Sequence, residues 1–237
     1  MRLDNYLVEN NYAQSRTKAQ ELIKKSLVSV NSTVITKNSF KIEVESIVEV
    51  AEHDSYVSRS AYKLKYFLED LDIDIKDTTC LDIGSSTGGF TQVLLENGVK
   101  QVDSVDVGSS QLHKILLEDP RVRPFENCDI RKFKSDTVYD LIVSDVSFIS
   151  LHHILSDINR LAVDKIILLF KPQFEVGRDV KRDKNGVVQD NRAIEKAMQK
   201  FEAECEQLGW VINEKLPSKL TGKEGNLEYC YYFQIII

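Results

Sequence analysis

Two charged residues stand where apolar strands run out: Asp145 closes "YDLIVSD" and Lys171 closes "KIILLFK". In an open sheet of parallel strands, ligands bind outside the carboxyl ends, so both side chains are expected in one crevice. A hydride transfer has no obvious need of such a pair. Methyl transfer to a hydroxyl does: a ribose hydroxyl is a weak nucleophile until its proton is removed or strongly hydrogen-bonded, and a lysine oriented by a carboxylate can do that. A third segment ends at the same level. "DIGSSTGGF", 82–90, runs from a strand through a glycine-rich turn into a helix. Its glycines permit positive φ, and free backbone N–H groups lie at its helix start. No Lys-Ser/Thr follows the glycines, so it is not a P-loop. Ser86 stands where G-x-G-x-x-G has its second glycine, which disfavours the close approach of a pyrophosphate. The following strand leads to Asp106, an acceptor for ribose hydroxyls that suits a nicotinamide dinucleotide and S-adenosylmethionine equally. A glycine turn that holds no ligand is the third reading.

The elements that must position these residues follow from the hydrophobic pattern. "TCLDIG", "QVDSVDV", "VRPFENCD", "YDLIVSDV" and "KIILLFK" read as strands, with helical segments between most of them. "SLHHILSDINRLA" and "NRAIEKAMQKFEAECEQLG" read as helices, and "WVINEKL" and "NLEYCYYFQIII" as terminal strands. Strands alternating with helices predict an α/β fold: a mostly parallel sheet covered on both faces, with an antiparallel pair near the C-terminus. Ser58 or Ser60 is expected to cap the helix "AYKLKYFLEDL", and residues 177–191 to form a polar, mobile loop. Ahead of this body, 51–57 reads as a linker, and the first fifty residues form a small α+β unit. In it, 2–10 is a helix, Ser15 caps a second helix through Lys25, and Ala19, Leu22 and Ile23 share its apolar face. "LVSVNSTVIT" is a hairpin turning at Asn31-Ser32, and "SIVEV" adds a short strand.

The formal charge of −6 is uneven: residues 1–41 carry seven Lys/Arg and three Asp/Glu, a local +4, which leaves −10 for the remainder. A basic leading module allows local phosphate contact, whereas the acidic body argues against coating nucleic acid all over. The four cysteines, Cys80, Cys128, Cys205 and Cys230, have no CxxC spacing, and the histidines have no ligand spacing, so no metal and no disulfide framework is expected. No run of apolar residues reaches membrane-spanning length and the first residues do not resemble a signal peptide, so a cytoplasmic protein without membrane association is expected. A monomer is favoured.

The leading stretch "RLDNYL...SRTKAQELIKKSLVSVNSTVITK" resembles the small RNA-binding domain of the ribosomal-protein-S-four type, through Arg2, Leu3, Asp4, Ser15, Arg16, Ala19, Ile23, Val28, Val30 and Asn31. It departs at Ser26 and Ser32, turn positions where that family has glycine. The whole chain resembles the TlyA/haemolysin A family, whose catalytic domain is similar to FtsJ-type RNA ribose methyltransferases: "SRSAYKL", "DIGSSTGGFT", "DVGSSQLH", "SDVSFIS", "KPQFEVG" and "GKEGNLEY" occur in that order. "SDVSF" also lacks the prolines of the (D/N)PP(Y/F) pattern of base-amino methyltransferases. The resemblance implies a Rossmann-like methyltransferase sheet at 58–237 behind an RNA-binding domain at 1–50, and 2′-O-methylation of ribosomal RNA at cytidine. The family's Lys-Asp-Lys-Glu tetrad falls on Lys63, Asp145, Lys171 and Glu228. S-adenosyl-L-methionine would be held by Asp82, Gly84, Ser85, Ser86, Gly88, Gly89, Phe90 and Asp106, with Asp129 near the adenine. Arg2, Arg16, Lys18, Lys24, Lys25 and Arg59 would contact RNA on ribosomal subunits. The rival readings are a non-catalytic RNA-binding or ribosome-assembly factor on the same fold, and a membrane-active haemolysin.

Overall fold

Leu3 and Leu7, then Ala19, Leu22 and Ile23, recur at helical spacing, and both sets close on one apolar cluster with Val28, Val30, Ile42 and Val48. In the computed structural model, which describes residues 1–10, 12–13, 15–43, 45–51 and 56–236, these segments are α1 (Leu3–Glu9) and α2 (Arg16–Lys24). Ser15 caps α2, its Oγ accepting from Lys18 N at 3.3 Å. Strands β1 (Val28–Val30), β2 (Thr33–Val34) and β3 (Val48–Val50) follow in the antiparallel order β2-β1-β3. The turn between β1 and β2 is two residues long, with Asn31 at φ 49° and Ser32 at φ 63°, the left-handed pair that matches strand twist in a tight hairpin. Ser26 stands at φ 60°. The two serines at glycine positions therefore adopt the glycine conformation, at a cost of about 1 kcal/mol each.

The chain divides into two compact units, Met1–Ser55 and Tyr56–Ile237. Residues 52–55, the middle of the expected linker, lie outside the described residues. The larger unit starts with α3 (Ser60–Asp70), which has no side-chain cap: the Ser58 and Ser60 hydroxyls bond each other at 2.6 Å, so neither serves as the cap expected from sequence. There follow β4 (Thr79–Ile83), α4 (Gly89–Glu96), β5 (Gln101–Val105), α5 (Lys114–Leu117), β6 (Val122–Phe125), β7 (Tyr139–Ser144), α6 (Leu155–Leu161), β8 (Ala162–Phe170), α7 (Pro172–Glu175), α8 (Asn191–Gln207), β9 (Trp210–Pro217) and β10 (Tyr229–Ile235).

The sheet order is β6-β5-β4-β7-β8-β10-β9; β6 to β8 are parallel, and β10 runs antiparallel to both its neighbours. Successive residues of β8 feed opposite faces. Ile166, Leu168 and Phe170 join Phe201, Trp210, Tyr231 and Phe233 on one side, and Ile167 and Leu169 join Phe67, Phe90 and Val93 on the other. Burial on both faces is why the strand reads as an unbroken apolar run. The chain turns one way from β4 to β5 and the other way from β7 to β8, so the order reverses between β4 and β7. A crevice opens at the carboxyl ends at such a reversal. The segment 177–191, expected to be a mobile loop, ends at the start of α8 and is hydrogen-bonded around Arg182, which pairs with Val188 in an isolated bridge. No helix among the described residues is long and apolar enough to cross a membrane.

Candidate active site

At the reversal, Asp82 is wholly buried and its Oδ2 accepts from Thr91 N at 2.9 Å and Thr91 Oγ1 at 2.6 Å. This ties the end of β4 to the first turn of α4. Burial pushes its carboxyl up to about 7. Gly84, at φ +79°, approaches Val146 so closely that an added Cβ would stand 3.0 Å from its Cγ1. Ser86 takes φ 48° and its backbone N–H donates to Asp106 Oδ2 at 2.8 Å, while Gly108 N donates to Asp106 Oδ1 at 2.7 Å. Each Asp106 oxygen keeps a lone pair for a further donor.

Beside them lies a cavity of about 730 Å³ lined by Gly84, Ser86, Asp106, Asp129, Arg131, Asp145, Ser147 and Phe148, among others. Three carboxylates face one guanidinium there, and that guanidinium is committed: Arg131 grips Asp129 at 2.5 Å and holds its carboxyl low, at about 2. With Arg131 on Asp129 and Lys171 on Asp145, Asp106 is left as the uncompensated charge, which disfavours a pyrophosphate and favours a cationic ligand carrying a ribose.

The other expected ligand contacts do not line the cavity. Gly88, at φ +93°, leaves no room for a Cβ against Leu116 Cδ1, 2.2 Å away, and Gly89 none against Ser58 Oγ at 2.1 Å. Gly89 lets α4 pack close to Ala61 of α3, and Gly88 supplies the left-handed position that starts α4. Phe90 lies in the core. Ser85 is buried, its carbonyl accepting from Gly88 N at 2.7 Å to close the turn.

The four tetrad residues form two ion pairs. Lys171 follows β8, with Pro172 at the first position of α7. Its Nζ lies 2.6 Å from Asp145 Oδ1 and donates to Ser147 Oγ at 2.8 Å and Asp145 O at 3.2 Å. Lys63, on α3, meets Glu228 Oε2 at 2.5 Å. The side chains are 7% and 13% exposed in the first pair and 10% and 3% in the second, so little water competes with either. Tyr229 pairs with Phe170 across β10 and β8, and one further step of that register brings Glu228 opposite Lys171. The Cys230 thiol is pushed up to about 12 mainly by burial, with smaller contributions from the charges of Lys63, Asp145 and Glu228. Asp145 and Ser147 border both the cavity and Lys171.

Sequence reasoning missed four residues here. Ser147 holds Lys171. Gln173 Nε2 donates to Glu228 Oε1 at 3.0 Å. Gly222 clears the space for that carboxylate, since a Cβ there would come within 2.6 Å of Oε1. Phe148, at φ 65° and 92% exposed, has its ring 5.4 Å from that of Phe174 at the cavity rim. The positive φ of a bulky residue has no signature in the sequence.

Of the expected RNA contacts, Arg2 and Arg16 bond Asp4 Oδ1 and Oδ2 at 2.9 and 3.0 Å and remain 40% and 56% exposed. Lys18 pairs with Glu21 at 3.3 Å, and Lys24 and Lys25 are exposed at the end of α2. Arg59 belongs to the larger unit, exposed immediately before α3.

A mostly parallel sheet with one reversed strand, β10, and at its crevice an aspartate with spare acceptor capacity beside a Lys/carboxylate pair, is a methyltransferase-type fold. The family model of the FtsJ-like methyltransferase matches residues 56–235 and that of the S4 domain matches residues 1–48. The chain belongs to the TlyA family of FtsJ-like methyltransferases. It is 45% identical to the 23S rRNA (cytidine-2′-O)-methyltransferase TlyA of Campylobacter jejuni, over 98% of this chain and 99% of that one. It is 36% identical to the 16S/23S rRNA (cytidine-2′-O)-methyltransferase TlyA of Mycobacterium tuberculosis, over 96% and 87%. A solved structure of a Streptococcus thermophilus protein described as a hemolysin superposes with a TM-score of 0.73 at 32% identity, covering 99% of this chain and 88% of that one.

Proposed function

We propose that this chain methylates a ribose 2′-hydroxyl of ribosomal RNA, at cytidine, with S-adenosylmethionine as methyl donor. One observation carries the reading: the buried Lys171–Asp145 pair stands at the edge of a cavity whose Asp106 has acceptor capacity to spare, and the register of β10 against β8 brings Glu228, paired with Lys63, opposite Lys171. The relatives named above support the substrate, and the acidic lining favours a sulfonium over a dinucleotide. Asp106 would accept from the ribose of the donor, Gly84 and Ser86 would lie along its methionine part, and Asp129 would lie near the adenine. Asp82 and Ser85 would act from behind, with Gly88, Gly89 and Phe90, by fixing the turn. Bound there, the donor supplies a methyl group on a positively charged sulfur.

The rest is positioning by the chain's own groups. In its neutral amine form Lys171 takes the 2′-hydroxyl proton on its Nζ lone pair, and Asp145 and Ser147 hold that nitrogen in place. Glu228 does the same for Lys63, which holds the hydroxyl or the adjacent phosphate. Phe148 offers an exposed face on which a base can stack. The 1–50 domain brings RNA to the 58–237 domain: Arg2, Arg16, Lys18, Lys24 and Lys25, with Arg59 before α3, contact phosphates, so binding weakens with salt. A ribosomal substrate makes the cytoplasm the place of work, and one chain carries every group the reaction uses.

The test is transfer of labelled methyl to purified small subunits, large subunits and whole ribosomes, with Lys171→Ala as control. Label that enters RNA and disappears with Lys171→Ala supports the reading and names the subunit. Absence of cofactor binding would replace it with a non-catalytic RNA-binding factor, and leakage of lipid vesicles caused by the purified chain would favour the haemolysin.

A further inference from the structure

The segment 177–188 is bolted to both flanks of Glu228. We propose that Arg182, at its centre, is a positioning residue for the Lys63–Glu228 pair and acts through Gln173; the inference rests on the role given to that pair above. The Arg182 guanidinium donates to four main-chain carbonyls: Gly177 at 2.7 Å, Val180 at 2.8 Å, Arg178 at 3.1 Å and Gln173 at 3.2 Å. A planar fork with five donors suits such a hub, and a lysine with one nitrogen cannot span it. The hub fixes the turn after α7 and with it the backbone of Gln173. The side chain of Gln173 then donates to Glu228 Oε1 at 3.0 Å, and Glu228 Oε2 holds Lys63 at 2.5 Å.

The far end of the segment reaches the other flank. Asp183 Oδ1 closes its tip by accepting from Asn185 N at 2.8 Å and Val187 N at 2.9 Å. Val188 N donates to Asn226 Oδ1 at 3.0 Å, and Asn226 is 4% exposed, two residues before Glu228. Gly222 closes the remaining side of the carboxylate. Glu228 is thus confined by Gln173, Lys63 and Gly222, and Arg182, from the segment after α7, fixes the one of these that lies on α7, Gln173. Misplacement of a reacting group by about 1 Å can cost about a hundredfold in rate, so slack at Arg182 passes to Lys63.

The test is steady-state methyl transfer by the full chain with four proteins: unaltered, Arg182→Lys, Gln173→Leu and the double variant. Cofactor affinity by calorimetry and melting temperature serve as controls. Each single variant should lose about tenfold or more in kcat, with KM for the ribosomal substrate and cofactor Kd changed by less than about twofold. Because the two residues act in series, the double variant should fall no further than Gln173→Leu alone. Losses that multiply in the double variant would overturn the proposal, as would an unchanged kcat in Arg182→Lys. A raised KM with intact kcat would also overturn it and make the segment an RNA contact. Should Arg182→Lys fail the melting control, Arg182→Gln replaces it with the same outcomes. No transfer by the unaltered chain would defeat the parent reading, and this one with it.

Discussion

In the small unit one fully buried carboxylate, Asp4, gathers two guanidinium groups that stay 40% and 56% exposed; in the large unit two carboxylates hold two ammonium groups that are only 10% and 7% exposed. The contacts are alike in length and opposite in design. Around Asp4 the acid is the buried partner: Gln20 donates to it as well, at 2.9 Å, so it locks α1 to α2 and leaves the cations facing outward. At Lys63 and Lys171 the cations are buried too, each held against a carboxylate oxygen. Taking charges out of water costs more than a surface pair returns, so the second arrangement is a poor way to gain stability and a good way to pre-orient chemistry. The first is a structural clasp; the second is the one we propose to be reactive.

The largest break should come at the reactive clasp. Lys171→Ala should lower kcat by about a thousandfold, a range typical of positioned proton-handling groups, and change cofactor Kd by less than about twofold. Calorimetry beside single-turnover transfer checks both halves. Next in size, Asp106→Ala should weaken cofactor binding about tenfold or more, the loss of hydrogen bonds to a charged acceptor, with the melting temperature of the free chain little changed.

The structural clasp should answer to stability and pH instead. Asp4→Ala should cost on the order of 2 kcal/mol in the small unit, measured by denaturation. Hydrogen bonds from Arg2 above all hold the Asp4 carboxyl well below its usual range. A lowered folded value means that this stabilisation is complete above the ordinary carboxylate pKa, near 4, and is lost as pH falls below that toward the folded value. Circular dichroism between about pH 5 and pH 2 should show a loss of structure that Asp4→Asn shifts to a flatter, already weakened profile. The smallest effect sharpens the same region: Ser26→Gly and Ser32→Gly should each add about 0.5–1 kcal/mol by relieving left-handed backbone at φ 60° and 63°.

Much of this was legible in the sequence, and particular residues show why. Lys171 and Asp145 stood out because the strands before them are buried on both faces and end abruptly at charge. Lys63 did not. On α3 it is one of two lysines with Lys65, and its partner Glu228 lies 165 positions away, so only the family likeness picked it out. Ser147 and Gln173 sat inside quoted motifs and went unmarked, because a neutral polar side chain declares itself only through the charge it meets in space. Gly88, Gly89 and Phe90 misled in the opposite sense: they belong to the ligand motif by order and to helix packing by geometry. The helix expected at 150–162 breaks into a turn at Leu151–His153 and α6, since Glu175 accepts from Ser150 Oγ at 2.6 Å and Leu151 N at 2.9 Å, contacts that no local pattern encodes.

The most direct measurement is the chemistry of the product. Ribosomal RNA methylated by the unaltered chain would be digested to nucleosides and the position of the new methyl group read by mass spectrometry. The account predicts a single modified species, cytidine carrying the methyl on its ribose 2′-oxygen, absent from the Lys171→Ala reaction. A methyl on the base, or the same product in undiminished yield from Lys171→Ala, would contradict it.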